Sequence, residues 1–445
     1  MEFPLLDKSE DVIRYVNEND VTIINLWFCD ILGKIKSFGI PPAQLEMAFE
    51  EGLGFDGSSV EGFARIYESD LLAKPIPETF RILPWTVDGK RTARVICDVL
   101  TPDMTPYPGD PRHLLKAALE RLKKGGYTFN VGPELEFSYF KNSETTDALD
   151  PAGYFDLIPF DLGSEIRQET VHALQAMGIS VEAAHHEVAP SQHEIDLKHT
   201  DALTMADQTI TYRFLVKEVA RRRGIYATFM PKPVFAENGN GMHVHQSLFK
   251  NGDNSFFDRE GQYFLSELGR HYLAGILKHC REIVAVTNQW VNSYKRLVPG
   301  YEAPVYVAWG QRNRSALVRV PRYKPGKAQA TRVEFRCPDP ACNPYLAFAV
   351  MVGAGMKGVE EKYALPDPVE EDIYLMTEGE RRAKGIDTLP DSLYASLQIA
   401  ESSELVRDVL GEHVFTKFLE NKYIEWDNYR VQVTEYEKRK YLPIL

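Results

Sequence analysis

Apolar positions recur along this chain in two periods. A period of two, or a short β-rich run, predicts strands over residues 21–28, 36–39, 79–85, 93–98, 226–230 and 241–249. A period near 3.6 predicts helices. One runs from Ser9, taken as its cap, through Val16. A second follows Asp110 as cap and Pro111 at its first turn, and stops at Gly125-Gly126. Others cover 163–177, 201–223, 264–287 and 343–362, and much of 390–445. Asp30-Ile31-Leu32-Gly33-Lys34 reads as a hairpin turn, and 141–153 and 295–331 as loops. The Pro-rich link between Thr101 and Gly109 marks a boundary. A small α+β domain, 1–102, thus precedes a larger one, 103–445. Strands alternating irregularly with long helices predict α+β rather than a doubly wound sheet.

Within this pattern one segment carries unusual chemistry: Gly132-Pro133-Glu134-Leu135-Glu136-Phe137. In a strand Glu134 and Glu136 share one face and Leu135 points to the other. Like charges side by side on a sheet are unfavourable without a cation, although a solvated strand face would also tolerate them. The alternation recurs in His243-Val244-His245 and Glu334-Phe335-Arg336. A fourth stretch runs from Ala183-Ala184-His185-His186-Glu187-Val188 to Glu194. Several strands offering carboxylates and imidazoles to one face describe a sheet around a polar cavity. Carboxylate-rich sites suit Mg²⁺ or Mn²⁺, whereas zinc favours Cys or clustered His.

The net charge of −13 argues against a general affinity for nucleic acid or anionic lipid. Against that acidity, the run from Asn292 to Pro321 is basic, with Lys295, Arg296, Arg312, Arg314 and Arg319, and Lys327, Arg332 and Arg336 lie beyond it. Guanidinium forks hold phosphate and carboxylate, and a basic loop region beside a carboxylate–metal sheet is what phosphoryl transfer requires. No GxxxxGK[ST] is present, so a nucleotide would not sit in a P-loop. Glu237-Asn238-Gly239-Asn240-Gly241 packs small residues before His243, where a substrate can approach the backbone. The apolar stretch 345–356 is too short and Gly-rich to span a bilayer. The N-terminus lacks the pattern of a signal peptide. Five cysteines without CxxC spacing suit free thiols in a reducing cytoplasm.

Asp56-Gly57-Ser58-Ser59, Gly132 to Phe137, His185-His186-Glu187-Val188, Gly239 to Ser247, Asn292 to Pro304, Asn313-Arg314-Ser315 and Arg332 to Pro340 together resemble the glutamine synthetase family, in order and over essentially the whole chain. The resemblance implies a β-grasp-like N-terminal domain and a catalytic domain with a curved antiparallel sheet, a half-barrel, backed by helices. It implies ATP-dependent ligation of ammonia to L-glutamate through γ-glutamyl phosphate. One ion would sit on Glu136, Glu187 and Glu194, the other on Glu134, His243 and Glu334. Glu182, His199, His245, Ser247 and Lys327 would serve ATP. Arg296, Arg336, Asn238 and Gly239 would hold glutamate, and Arg314 and Arg319 the moving phosphoryl group. Asp56, reaching into a neighbouring subunit, would take a proton from ammonium in a pocket with Ser59, Tyr154 and Glu187. Glu302 would close over the intermediate. The family further implies a cytoplasmic dodecamer of two stacked hexameric rings.

The chain resembles the shorter branch that lacks an adenylylated tyrosine, and Arg65 matches a position tied there to glutamine feedback, if it is not merely a surface arginine. Ser191 stands where glycine is usual, which predicts a local backbone change, and His199 where an aromatic is common. A relative that joins glutamate to a polyamine or other amine, and a non-catalytic scaffold of the same fold, are the alternatives. The Asp56 loop, Tyr154 and Glu302 favour ammonia over the first, and the six metal positions argue against the second.

Overall fold

The computed structural model describes residues 6–60, 62, 70–301, 303–323 and 326–445, so Arg65 and Glu302 lie outside the described residues. The N-terminal unit contains α1 (Ser9–Glu18), β1 (Val21–Cys29), β2 (Ile35–Ile40), α2 (Leu45–Glu51), β3 (Leu53–Asp56), β4 (Asp70–Pro75), β5 (Arg81–Val87) and β6 (Lys90–Leu100). Its sheet runs β2-β1-β6-β4-β3, with β5 also on β6. β1 and β6 are parallel, as a crossover connection allows. Val12, Val16, Leu45 and Ala48 from the helices pack with Ile24, Leu26, Phe80, Ala93 and Val95 in one buried core. Ser9 is the first helical residue of α1 rather than its cap. Lys8 holds the cap position in an extended conformation, with no side-chain hydrogen bond to the helix.

The larger unit begins with α3 (Pro111–Lys124), β7 (Tyr127–Phe140), α4 (Ser164–Ala176), β8 (Val181–His186), β9 (Gln192–Leu197) and β10 (Thr200–Asp201). It continues with α5 (Ala202–Arg222), β11 (Tyr226–Thr228), β12 (Met242–Lys250), β13 (Asp253–Asn254), α6 (Glu267–Thr287), α7 (Ser293–Arg296), β14 (Tyr306–Gly310), β15 (Ala316–Arg319) and β16 (Val333–Phe335). It closes with α8 (Pro344–Glu360), α9 (Glu378–Ala383), β17 (Asp387–Thr388), α10 (Leu393–Glu401), α11 (Glu404–Arg430) and α12 (Glu435–Tyr441).

The caps explain the helix starts. The Asp110 carboxylate accepts from the Arg112 amide, Asp201 from Thr204, and Asn343 from Tyr345 and Leu346. α6 starts at Glu267 rather than 264, because Tyr263 and Phe264 take positive φ (57° and 59°) and Ser266 supplies the cap. α8, the apolar stretch of the sequence, is a buried core helix crossing α6 closely. A Cβ on Gly275 would lie 2.3 Å from the Ala354 carbonyl oxygen, so only glycine permits that approach. No helix among the described residues is long and apolar enough to cross a membrane.

The large sheet runs β17-β14-β15-β16-β12-β7-β9-β8, a curled half-barrel that is antiparallel except between β14 and β15. Its back face packs on α3, α4, α5 and α6, with α8 behind α5 and α6, and the core joins residues of β1 and β6 from the N-terminal unit.

Candidate active site

β7 is the spine of the site. It pairs with β12 on one side and β9 on the other. Leu135 and Phe137 are fully buried in the core, while Glu134 and Glu136 between them are only partly buried, as the alternation requires. Register then decides the neighbours. Glu134 falls opposite His243 and Asp196, Glu136 opposite Glu194, and Glu334 opposite His245 and Arg319.

Two groups of ligating atoms result. In the first, Glu134, His243 and Glu334 converge. His243 Nδ1 lies 3.2 Å from Glu134 and 3.7 Å from Glu334. His245 Nε2 lies 2.6 Å from Glu134, and Arg332 donates to its other nitrogen at 3.1 Å. Burial alone would raise the carboxyls of Glu134 and Glu334. The neighbouring His245 and His243 outweigh it at both, joined at Glu334 by Arg319 and Arg336, and hold both well into the ionised form.

The second group joins His185, Glu187 and Glu194. His185 lies 3.6 Å from Glu187 and 3.4 Å from Glu194. Glu136, expected to share this group, is held beside it and accepts from Gln192 and the Gly241 amide, both at 2.8 Å. Here the electrostatics are opposite in sign. Burial, then Asp196, Glu136, Glu134 and Glu187, push the Glu194 carboxyl up, and burial raises Asp196 to about 6. The site is short of positive charge, which is what a divalent cation supplies. The donor set of carboxylates with a few imidazoles fits Mg²⁺ or Mn²⁺.

A third group, Asp150, Asp161, His186 and His193, is buried and bonded largely within itself, although His193 Nε2 is left without a hydrogen-bond partner. Arg167 forks onto Asp161 and reaches His193 at 2.8 Å, and His186 lies 3.0 Å from Asp150. It braces β9, which carries Glu194, and the end of β8 just before Glu187. Ser191 is tied into it. Its φ is 61°, in the region glycine prefers, and its hydroxyl accepts from the Leu149 and Asp150 amides. The serine thus holds the backbone conformation that glycine favours, rather than a visibly altered one.

Beside the first group a cavity of about 230 Å³ is lined by Glu134, Glu182, Asp196, His199, His245, Ser247 and Arg332, among others. Lys327 does not line it, but caps the 3₁₀ turn 328–330 that does. On the other flank, Arg296 is buried, donates to the carbonyl oxygens of Arg336, Cys337 and Pro338, and packs beneath Gly239 and Gly241. Asn238 is partly buried on that loop. Arg336 and Arg319 both pair with Glu334, and Arg314 is exposed nearby, its carbonyl accepting from Arg336. Tyr154 stacks on Phe155 and meets His185 edge-on, with ring centres 5.6 Å apart. Asp56 and Ser59 are exposed on the N-terminal unit, and the Asp56 carboxylate accepts from the Ser58 amide at 2.8 Å.

Residues 20–102 match the family model described as glutamine synthetase, beta-Grasp domain, and residues 108–441 that described as glutamine synthetase, catalytic domain. The chain belongs to the glutamine synthetase family. It is a ligase that makes glutamine at the expense of ATP. It is 51% identical over 443 residues to the glutamine synthetase of Mycolicibacterium smegmatis, covering 98% of this chain and 99% of that one. It is 49% identical over 441 residues to that of Methanosarcina mazei, covering 98% of each. Among solved structures, Plasmodium falciparum glutamine synthetase, determined by cryo-electron microscopy, superposes with a TM-score of 0.90 at 26% identity over 99% of this chain and 100% of that one. A GmaS/ADP complex superposes at 0.89 with 30% identity over 97% and 99%.

Sequence reasoning named His185 only within the fourth polar stretch and Arg332 only within the basic run, and gave Asp196 no role. Asp196 had a usable signal, since it follows Glu194 by two residues, the same spacing as Glu134 and Glu136. His185 and Arg332 join the site through register with other strands, which local spacing does not encode.

Proposed function

We propose that the two Glu/His groups hold a pair of divalent cations, Mg²⁺ or Mn²⁺, and that glutamine forms in two steps through γ-glutamyl phosphate. The observation that carries this reading is the convergence of Glu134, His243 and Glu334 beside His185, Glu187 and Glu194 on one sheet surface. Bound there, the ions would neutralise the nucleotide's phosphates and polarise the transferring phosphoryl group. Glu136 belongs with the second group, directly opposite Glu194 in register. The cavity with Glu182, His199, His245 and Ser247 receives ATP, with Lys327 and Arg332 at its edge.

Glutamate lies along Asn238 and Gly239, with Arg296 holding that loop from below and Arg336 on the same side. Arg314 and Arg319 orient the phosphoryl group, because guanidinium forks match its oxygens. Glu302 shields the intermediate from water. Ammonium is collected by Tyr154 and Glu187 with Asp56 and Ser59 of a neighbouring subunit, and Asp56 takes the proton that frees the nucleophile. Two features support a shared site. Asp56 is exposed on the N-terminal unit, which we take to end near residue 102. The C-terminal segment leaves Val431, Val433, Tyr436, Leu442 and Ile444 exposed, an apolar surface suited to another copy. We assign a cytoplasmic dodecamer of two hexameric rings, with Arg65 as a feedback residue.

The test is ADP release with ATP, Mg²⁺ and glutamate, with and without ammonium, and with methylamine or a polyamine in its place. Sustained turnover with ammonium alone is expected. Turnover only with a larger amine would overturn the ammonia assignment, and metal-independent turnover the paired-ion one.

A further inference from the structure

Arg81 on β5 and Arg94 on β6 are cross-strand partners, directly opposite in the antiparallel register. Two cations so placed repel unless an anion lies between them. Arg94 is 5% exposed and makes no ion pair among the described residues. It donates to the Thr79 carbonyl and, at 3.4 Å, to the Thr211 hydroxyl, and its guanidinium lies 5.5 Å from the centre of the Trp27 ring. Its buried Nε has no hydrogen-bond partner. Arg81 donates to the carbonyl oxygens of Met177, Glu78 and Phe80. Both residues line a cavity of about 320 Å³ at the junction of the N-terminal unit with α3, α4 and α5.

Two further cations of that cavity are held in ion pairs. Arg112 pairs with Asp98 and Asp207, and Lys116 with Asp98. Asp98 and Asp207 are engaged by those cations and Glu78 is exposed on the same cavity, so Arg94 has only a longer-range attraction to Asp207 and no ion pair of its own among the described residues. Burial, followed by the nearby Arg81, lowers its pKa to about 9. A buried guanidinium without an ion pair is costly, and a bound anion would offset that cost.

We propose that this junction cavity is a second ligand site, distinct from the metal-bearing sheet, which takes a compact, multiply charged oxyanion between Arg81 and Arg94. Tetrahedral phosphate and a small dicarboxylate share the required chemistry, because each offers paired oxygens to guanidinium donors. The cavity is walled by the strands of one unit and the helices of the other. Its occupant would therefore tie the unit bearing Asp56 to the unit bearing the sheet.

The test is calorimetric titration of the full-length enzyme with inorganic phosphate and, separately, with malonate. The proteins are wild type, R94Q and, as a control blunting the phosphoryl site, R319A. Binding is expected in wild type and R319A and at least about tenfold weaker in R94Q, the loss of one charged contact. The tighter anion then gives the ligand class. Equal binding by R94Q and wild type, loss of all binding in R319A, or no binding of either anion by wild type would each overturn the proposal. If R94Q does not fold, wild-type crystals soaked in tungstate decide. Anomalous density beside Arg94 supports the site, and density confined to the metal-bearing sheet refutes it.

Discussion

Glu136 on β7 and Glu194 on β9 stand directly opposite each other, and two positions along the same ladder Glu134 stands opposite Asp196. Four carboxylates thus form a square on one sheet surface. Cross-strand like charges destabilise a sheet, so this arrangement persists at a cost that bound cations offset.

Glu194→Gln should therefore abolish activity yet raise the melting temperature of chelator-treated enzyme by a few degrees. The sign follows from linkage. Glu194's folded pKa is raised, so its stabilising effect is complete below the ordinary glutamate range and lost as pH rises through the folded value. Wild type without metal should lose stability with rising pH more steeply than the variant. Parallel curves from differential scanning fluorimetry across pH would remove the like-charge account.

His243→Ala takes away one of three convergent atoms of the first group. Removing groups that only support metal ligands already costs about 10–100-fold in affinity or activity, so this variant should lose at least about 100-fold in kcat/KM. The apparent Mg²⁺ requirement should rise with it. Chelation should silence wild type reversibly, read by coupled ADP release against metal concentration.

Asp56→Ala should spare formation of γ-glutamyl phosphate more than formation of glutamine, because the proposed role is in deprotonating ammonium. Quenched-flow detection of the acyl phosphate beside glutamine measures both, and equal loss would contradict the assignment. If the site is shared, coassembled Asp56→Ala and Glu334→Gln subunits should recover roughly a quarter of wild-type activity, since random neighbours restore some intact sites. No recovery in verified hybrids would place Asp56 outside the neighbour's site.

Ser191→Ala leaves two amides, those of Leu149 and Asp150, without their acceptor. A loss of about 1–3 kcal/mol is expected, the cost of a buried donor left unmade. Ser191→Gly loses the same acceptor but relieves the positive φ of 61°, so it should be the less damaging of the two. Urea denaturation of both variants gives the order.

Asp110 caps α3 while fully buried, and burial, then Asp98, raise its carboxyl from 3.8 to about 7. Between those values the folded state holds a proton that the unfolded state has lost. This residue's contribution is complete below about pH 4 and falls as pH rises toward 7, by at most roughly 4 kcal/mol. Asp110→Asn, which keeps an acceptor for the Arg112 amide, should flatten the stability profile in that window. An unchanged slope in urea midpoints from pH 4 to 7 would show that Asp110 is not its source.

The sequence by itself determined the elements and the ligand types. Alternation placed Glu134 and Glu136 on one face with Leu135 beneath, and Asp110 with Pro111 announced the start of its helix, because periodicity and capping act over a few residues. Tertiary structure alone decided which strands are neighbours. Register brought His185 to Glu194, Asp196 to Glu134 and Arg319 to Glu334, and set Arg81 against Arg94. Those meetings join segments up to tens of residues apart, and they depend on which hydrophobic faces pack together, so local spacing does not specify them.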